Sequence, residues 1–143
     1  VTVVLPGGQE VAATVLAEDR GDDLAVLRVD AHDLPAVTLG DARRLQAGDV
    51  VMAQGFPWGV AGGATTGVVI GVGTLPEMRN DGREWLAASL HLRPGHSGGP
   101  MVDAAGRLVG INTMMNGPDV GVAVPVHVVA AFMSRTTNQF LAL

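Results

Sequence analysis

The sequence predicts an all-β fold, either a barrel or a sandwich. Short runs of β-branched and other apolar residues recur along the chain, and turn-forming residues separate them. Glycine accounts for 20 of the 143 residues, which suits the many tight corners of such a fold. A single segment has the pattern of a helix, so we expect strands to form most of the structure.

The apolar runs predict the strands in chain order. They comprise residues 1–5, 11–16, 24–29, 49–54, 65–73, 85–89, 101–102, 108–112 and 120–124. Two of the connections carry hairpin signals, namely Pro-Gly-Gly-Gln at residues 6–9 and Asp-Ala-Ala-Gly at residues 103–106. Both signals join strands that are close in sequence, which favours antiparallel pairing.

The last predicted element is a short helix at residues 125–135, with Pro125 in its first turn. A seam near residues 43–48 divides the strands before it from those after it. We therefore expect a smaller N-terminal part, residues 1–45, and a larger C-terminal part, residues 46–143, which carries the helix.

Composition limits the classes of partner and cofactor. The formal net charge is −5 and every basic side chain is an arginine, with the nine arginines scattered along the chain, so nucleic acid is not expected as a partner. No apolar run approaches the ~18 residues of a membrane span. Cysteine is absent and the four histidines lack ligand spacing, so we expect no metal and no other cofactor.

The N-terminus also carries information. Residues 1–4 already have the pattern of a strand, with neither an initiator methionine nor a signal peptide before them. We therefore expect this chain to be a fragment of a longer protein.

The motif that indicates chemistry is Gly-His-Ser-Gly-Gly-Pro at residues 95–100. Glycines on both sides of Ser97 permit a tight turn, in which the backbone N–H groups of Gly95 and Ser97 can point at one position. An oxyanion formed in acyl transfer would occupy that position. The motif therefore predicts a serine nucleophile with its oxyanion hole, against the simpler interpretation of a glycine-rich turn with an incidental serine.

The same residues also satisfy the Gly-x-Ser-x-Gly pattern of an esterase. That pattern requires a strand before the serine and a helix after it, and Asp119 and His127 would be the partners of Ser97. Here a hairpin follows the serine, and strands do not alternate with long helices. The context therefore disfavours the esterase.

Several further segments make the chain resemble chymotrypsin-like serine proteases, most closely the bacterial HtrA (Deg) type. Besides the serine motif, the similar segments are residues 22–29, 39–41, 46–51, 55–59, 110–113 and 120–125. The resemblance implies a double β-barrel whose N-terminal barrel is truncated here, and a serine endopeptidase. Ser97 is then the nucleophile, and Asp23, which directly precedes an apolar strand, orients a histidine; its neighbour Asp22 is the alternative.

In this family the histidine that acts as general base lies upstream of the aspartate, and this chain has none at a matching position. His32 follows the strand after Asp23, His91 and His96 flank the serine turn, and His127 lies in the predicted helix. We therefore expect the chain to be inactive, or nearly so, as it stands. The alternative is a catalytically dead peptide-binding module of the same fold.

The resemblance also implies the substrate. Exposed or unfolded polypeptide is expected to bind in an extended conformation along the edge of strand 120–124. Leu92, Thr113, Met114 and Val122 are the predicted walls of a small apolar pocket. His91 stands where trypsin-type enzymes place a pocket carboxylate, which disfavours a pocket for Lys or Arg. Homo-oligomers, a PDZ domain in the parent chain and an extracytoplasmic location are further implications.

Overall fold

The computed structural model describes residues 1–78 and 81–141, with the backbone alone for residues 139–141, and contains nine strands, two 3₁₀ turns and one α-helix in them. The strands are β1 (Thr2–Val4), β2 (Glu10–Asp19), β3 (Leu24–Val29), β4 (Val50–Gly55), β5 (Gly63–Gly73), β6 (Trp85–Ser89), β7 (Pro100–Asp103), β8 (Leu108–Met115) and β9 (Val120–Pro125). The 3₁₀ turns are Ala42–Arg44 and Pro57–Gly59, and the helix α1 is Val126–Leu141. No helix in this part of the chain is long and apolar enough to cross a membrane.

The chain divides into two compact units. The terminal unit consists of Val1–Ala36 together with Ala130–Leu143, and the barrel unit consists of Val37–Val129. The division between residues 45 and 46 that the sequence suggests stays a prediction.

The terminal unit contains a three-stranded antiparallel sheet in the order β1-β2-β3. The predicted first hairpin is present between β1 and β2. In its loop the Leu5 amide donates to the Gln9 carbonyl at 2.8 Å, and the Gly8 amide donates to the Leu5 carbonyl at 2.9 Å. A register shift between Val15 and Ala17 marks a bulge in β2. Such a bulge bends a strand and increases its twist.

The barrel unit is a closed six-stranded antiparallel barrel in the order β4-β5-β6-β9-β8-β7, with β7 paired back to β4. Alternating side chains of these strands point inward and form one apolar core. Its fully buried members include Val51, Val69, Leu86, Met101 and Val109. Closure leaves no strand of this sheet without neighbours on both sides.

That closure overturns one expectation from the sequence. Strand 120–124 was expected to offer a free edge to an extended polypeptide, but β9 pairs with β6 on one side and with β8 on the other. The backbone groups of β9 are therefore used inside the barrel, and the prediction of substrate binding along this edge is wrong.

The C-terminal helix is longer than predicted, and it begins one residue later. Pro125 pairs with Gly110 as the last residue of β9, so the expectation that it lies in the first helical turn is wrong. Past residue 135, Thr136 and Thr137 donate their hydroxyl protons to carbonyls four residues earlier, each at 3.0 Å. These polar side chains are therefore satisfied within the helix instead of ending it.

The predicted all-β class with one C-terminal helix is confirmed. Every predicted strand is present, and most of the differences are extensions at the strand ends, as in β2 and β8. Segment 85–89 coincides with β6 and segment 24–29 with β3.

Candidate active site

The segment around Ser97, residues 93–99, forms two successive turns, which we call the nucleophile turn. The amide of His96 donates to the carbonyl of Arg93, and the amide of Gly99 donates to the carbonyl of His96, both at 2.9 Å. The third residue of each turn is a glycine with positive φ, Gly95 at +103° and Gly98 at +81°. This pattern is that of type II turns, which need a residue able to adopt positive φ at that position.

The amides of Gly95 and Ser97 are the predicted oxyanion hole. Within the described residues neither amide donates a hydrogen bond, whereas the amides of His96, Gly98 and Gly99 all do. Both donors are therefore available to an acceptor that approaches Ser97. An oxyanion hole requires such preorganised donors without partners of their own.

The hydroxyl of Ser97 is exposed and donates to the carbonyl of Thr113 in β8 at 2.8 Å. Two backbone hydrogen bonds join the same turn to the same strand: Gly98 donates to Asn112 at 2.8 Å, and Asn112 donates to Gly99 at 2.9 Å. The serine is thus held beside β8 by three contacts on one side of the turn.

Asn112 anchors the nucleophile turn, a role that the sequence analysis did not assign. Its side chain is buried, and the two protons of its Nδ2 are shared among three carbonyls, those of Gln54 at 3.1 Å, His96 at 3.3 Å and Pro100 at 3.2 Å. One side chain therefore links β4, the nucleophile turn and β7. The available signal was a lone amide residue within an apolar strand, since buried polar groups are normally present to satisfy hydrogen bonds.

The nucleophile turn also packs closely against the end of β4. The amide of Phe56 donates to the carbonyl of Gly95 at 2.7 Å. A Cβ atom on Gly95 would lie 2.5 Å from the Phe56 carbonyl oxygen, and one on Gly99 would lie 2.1 Å from that of Gln54. Both separations are far shorter than a nonbonded contact allows, so these two positions require glycine.

Arg93 ties the nucleophile turn to the exposed 3₁₀ turn after β4. Its guanidinium carbon lies 5.2 Å from the ring centroid of Trp58, within the range of a cation–π contact. Trp58 is 79% exposed and has a φ of +52°, a conformation that bulky residues rarely adopt. The contact therefore joins Arg93 to a residue that stays largely exposed.

The predicted pocket residues have different surroundings. Leu92 and Val122 are buried, with Leu92 packed in the barrel core, while Met114 is 37% exposed. Met115, which the sequence analysis did not single out as a pocket residue, accepts the Leu92 amide on its Sδ at 3.2 Å. The structure therefore brings Thr113 to Ser97 directly, and joins Leu92 to β8 through Met115.

Asp23 lies in the terminal unit, at the turn that leads into β3. It is exposed and has a φ of +54°, a left-handed conformation that aspartate tolerates better than most residues. The preceding turn is closed by Asp19, whose carboxylate accepts the Asp22 amide at 3.0 Å. The assignment of Asp23 as the orienting acid stays a prediction.

The histidines of the barrel unit are engaged with groups other than the serine hydroxyl. The ring of His91 is paired with Asp119 at 2.9 Å, His127 is paired with Glu84, and buried His96 contacts the backbone of Arg93. His32 lies exposed in the terminal unit.

A family model described as a trypsin-like peptidase domain matches residues 1–111 of the chain, which include the nucleophile turn. The chain belongs to this family. Its relatives are named serine proteases, so the predicted class of enzyme, a serine endopeptidase, is confirmed at the level of the family.

Individual relatives narrow the resemblance to the HtrA type. The chain is 35% identical over 145 residues to the "Probable periplasmic serine endoprotease DegP-like" of Halomonas elongata. The matched region covers 97% of this chain and 30% of that protein. It is 30% identical to the mitochondrial serine protease HTRA2 of Drosophila willistoni, over 97% of the chain and 33% of the relative. The chain thus spans about a third of the length of these relatives.

Solved structures agree with the sequence relatives. The HtrA-type protease AlgW with a bound decapeptide has a TM-score of 0.88 and 34% identity, covering 96% of this chain and 44% of that one. AlgW with a tripeptide has a TM-score of 0.84 and 36% identity, over 93% of this chain. The resemblance to HtrA-type proteases is therefore confirmed, and so is the predicted chymotrypsin-like fold.

Proposed function

We propose that this chain carries the nucleophile of an HtrA-type serine endopeptidase that cleaves exposed or unfolded polypeptide through an acyl-enzyme. The observation that carries the proposal is the geometry around Ser97. An exposed hydroxyl belongs to a glycine-framed turn in which two backbone amides, those of Gly95 and Ser97, have no partner in the described chain. Acyl transfer requires a nucleophile together with such unpaired donors.

The proposed reaction follows from these groups. The Ser97 oxygen attacks the carbonyl carbon of the scissile peptide while its proton passes to a general base. The carbonyl oxygen becomes an oxyanion that accepts hydrogen bonds from the amides of Gly95 and Ser97. The base then gives the proton to the leaving amine, and a water molecule hydrolyses the acyl-enzyme by the same steps, which returns the proton to Ser97.

The general base in this proposal is a histidine outside the chain, oriented by Asp23. Support comes from the other demands on the local histidines: His91, His96 and His127 each contact another group, and the Ser97 hydroxyl donates to a backbone carbonyl. A serine without a base attacks slowly. The chain alone is therefore proposed to be inactive or nearly so.

Substrate is proposed to bind along the end of β8 instead of β9. β7 is paired with β8 only as far as Ile111, and Met114 and Met115 beyond it are paired with β9 on one side. An extended polypeptide can add beside this segment as a further strand. The decapeptide bound in AlgW supports a polypeptide ligand for a chain of this fold.

The side chains near this segment favour a small apolar residue at the cleavage site. The carbonyl of Thr113 accepts the Ser97 hydroxyl, and the Sδ of Met115 accepts the Leu92 amide. Val122 is buried in the neighbouring strand. Residues 85–99 contain no carboxylate that could pair with a basic substrate residue. Thr113, Met114, Leu92 and Val122 remain the proposed pocket set.

The surroundings of the full protein are proposed from its relatives. Two relatives of the DegP-like group, from Halomonas elongata and Chlamydia trachomatis, are named periplasmic, which supports an extracytoplasmic location. A homo-oligomer and a PDZ domain in the parent chain are proposed from the HtrA resemblance alone.

One observation favours a second candidate, a peptide-binding module without catalysis. The Ser97 hydroxyl proton is directed at the Thr113 carbonyl, so the serine is not poised for proton transfer as it stands. Such a module would hold an extended peptide at the same segment without cleaving it.

Hydrolysis of one substrate in two states separates these candidates. The full-length protein that carries this chain is incubated with a disulfide-bonded protein in its folded form and in its reduced, alkylated, unfolded form. We expect cleavage of the unfolded form, and loss of at least about 10³-fold in rate for Ser97→Ala. Binding of the unfolded form without cleavage, equal for wild type and Ser97→Ala, would instead establish the peptide-binding module.

A further inference from the structure

His96 is the most deeply buried titratable side chain next to the nucleophile. It directly precedes Ser97, yet only 1% of its surface is exposed. A buried imidazole costs free energy unless its nitrogens have partners. Its contacts therefore indicate what the residue does in the nucleophile turn.

The Nδ1 atom of His96 faces both backbone groups of Arg93. It lies 2.9 Å from the Arg93 amide nitrogen and 3.1 Å from the Arg93 carbonyl oxygen. That carbonyl already accepts the amide of His96 at 2.9 Å, whereas the Arg93 amide has no other acceptor in the described chain. Both backbone groups are satisfied only if Nδ1 carries a lone pair and accepts, which places the ring proton on Nε2.

The other ring nitrogen makes no contact that competes with this one. Nε2 is buried without a hydrogen-bond partner, and no acidic side chain of the described residues forms an ion pair with His96. Within the described residues, the hydrogen bonds of the ring are therefore those with the Arg93 backbone.

The turn that this contact closes also carries a predicted oxyanion donor. Arg93 and His96 are the ends of the first turn, and Gly95 is its third residue. The His96 ring therefore joins the two ends of this turn a second time, in addition to the backbone hydrogen bond between them. Loss of the ring contact would loosen the backbone that carries the Gly95 N–H.

We propose that His96 is a positioning residue for acyl transfer: its imidazole accepts the Arg93 amide on Nδ1 and thereby fixes the turn that carries the Gly95 N–H, the predicted oxyanion donor. The inference rests on the function proposed for Ser97. His96 touches neither the substrate nor the serine hydroxyl, and it acts through the backbone of the turn.

Two variants of nearly equal size test this role in the full-length protein. In His96→Asn the amide oxygen can occupy the position of Nδ1 and accept the Arg93 amide, whereas His96→Leu fills similar space without an acceptor. For cleavage of a peptide, we expect His96→Asn to keep kcat within about threefold. We expect His96→Leu to lower kcat by about tenfold to a hundredfold, the effect of leaving one backbone N–H without an acceptor, with KM changed by less than about twofold.

The activity results have distinct meanings. Equal kcat values for the two variants, both with wild-type thermal midpoints, would overturn the inference and leave the proposed function intact. A loss confined to KM would also overturn it, because oxyanion stabilisation acts in the transition state. Absence of cleavage by the wild type would instead contradict the proposed function.

A spectroscopic measurement tests the hydrogen bond without any activity. Nitrogen-15 NMR of the full-length protein, labelled at histidine and arginine, is expected to show an unprotonated Nδ1 and a protonated Nε2 for His96. Scalar coupling across the hydrogen bond is expected between Nδ1 and the Arg93 amide nitrogen. A protonated Nδ1 at neutral pH, or no such coupling, would overturn the inference whatever the enzyme does.

Discussion

Two adjacent glycines in the nucleophile turn are needed for different physical reasons. Gly98 has a φ of +81°, but no atom beyond its two chain neighbours lies within 4 Å of where its Cβ would be. Gly99 has ordinary φ, but its Cβ would lie 2.1 Å from the carbonyl oxygen of Gln54. The first position resists a side chain through backbone strain alone, and the second through collision with the backbone of β4.

Alanine at these two positions is expected to have unequal effects. Gly98→Ala is predicted to lower the free energy of unfolding by about 1 kcal/mol, the usual penalty of a left-handed residue. Gly99→Ala is predicted to cost about 3 kcal/mol and to displace Ser97, because β4 or the turn must move. Urea denaturation measures both values. Equal losses would contradict the close packing described for Gly99.

The identity of the orienting acid is also a question of single residues. Asp22 and Asp23 are neighbours, and Asp23 directly precedes β3. We expect Asp23→Asn to lower kcat/KM of the full-length protein by about 10⁴-fold, because an asparagine cannot stabilise the imidazolium. Asp22→Asn is the matched control, with an expected change of less than about threefold. The reverse order would move the assignment to Asp22.

At the scale of elements, β8 holds the site together through one side chain. Asn112 donates to carbonyls from β4, the nucleophile turn and β7. In Asn112→Asp an oxygen would face three carbonyl oxygens, so we expect a loss of about 3 kcal/mol or more in unfolding free energy. Exposed Asn116, four residues later, is the control; Asn116→Asp is expected to change stability by less than about 0.5 kcal/mol. Similar values for both would refute the anchoring role.

The hairpin between β7 and β8 makes stability depend on acid pH. Desolvation by burial raises the pKa of Asp103, but hydrogen bonds from the amides of Arg107 and Ala105 and the ion pair with Arg107 together outweigh it and hold this pKa below its usual range. A lowered pKa in the folded state stabilises the protein above the unfolded value, and this contribution is lost as the pH falls through the folded value.

Substitution of Asp103 tests that dependence. Asp103→Asn is expected to lower stability by about 1 kcal/mol at neutral pH, since the paired arginine is largely exposed. The difference from wild type should shrink below about pH 4, as the wild-type carboxylate takes up its proton. Denaturation across this pH range measures it, with exposed Asp30→Asn as the control. A difference that stays constant with pH would contradict the account.

At the scale of the whole molecule, local sequence patterns predicted where the strands lie but not how all of them pair. Apolar alternation and turn residues located β3 and β6 because both are properties of neighbouring residues. The expectation of a free edge at 120–124 was wrong because barrel closure pairs β9 with β6, a strand more than thirty residues away in sequence. Closure depends on all six strands together, so no single segment reveals it.

The candidate site shows the same limit. The glycine motif predicted the turn around Ser97, because a tight turn needs residues within a few positions of each other. The role of Asn112 depends on contacts with β4, which become visible only once the barrel is closed. The role of His96 depends on a side-chain contact with the nearby Arg93 backbone, and the motif alone does not show which backbone groups its ring reaches. The sequence marks both residues as unusual, because each is a polar side chain in an apolar or glycine-rich setting. It does not show which groups these side chains contact.

The most direct test of the central claim is labelling of Ser97 by a fluorophosphonate, followed by mass spectrometry of the labelled peptide. In the full-length protein we predict stoichiometric labelling at Ser97. In the isolated chain of residues 1–143 we predict labelling slower by about 10³-fold or more, because no base removes the hydroxyl proton. Rapid labelling of the isolated chain would contradict the proposal that the general base lies outside it. An unlabelled Ser97 in the full-length protein would contradict the role of Ser97 as nucleophile.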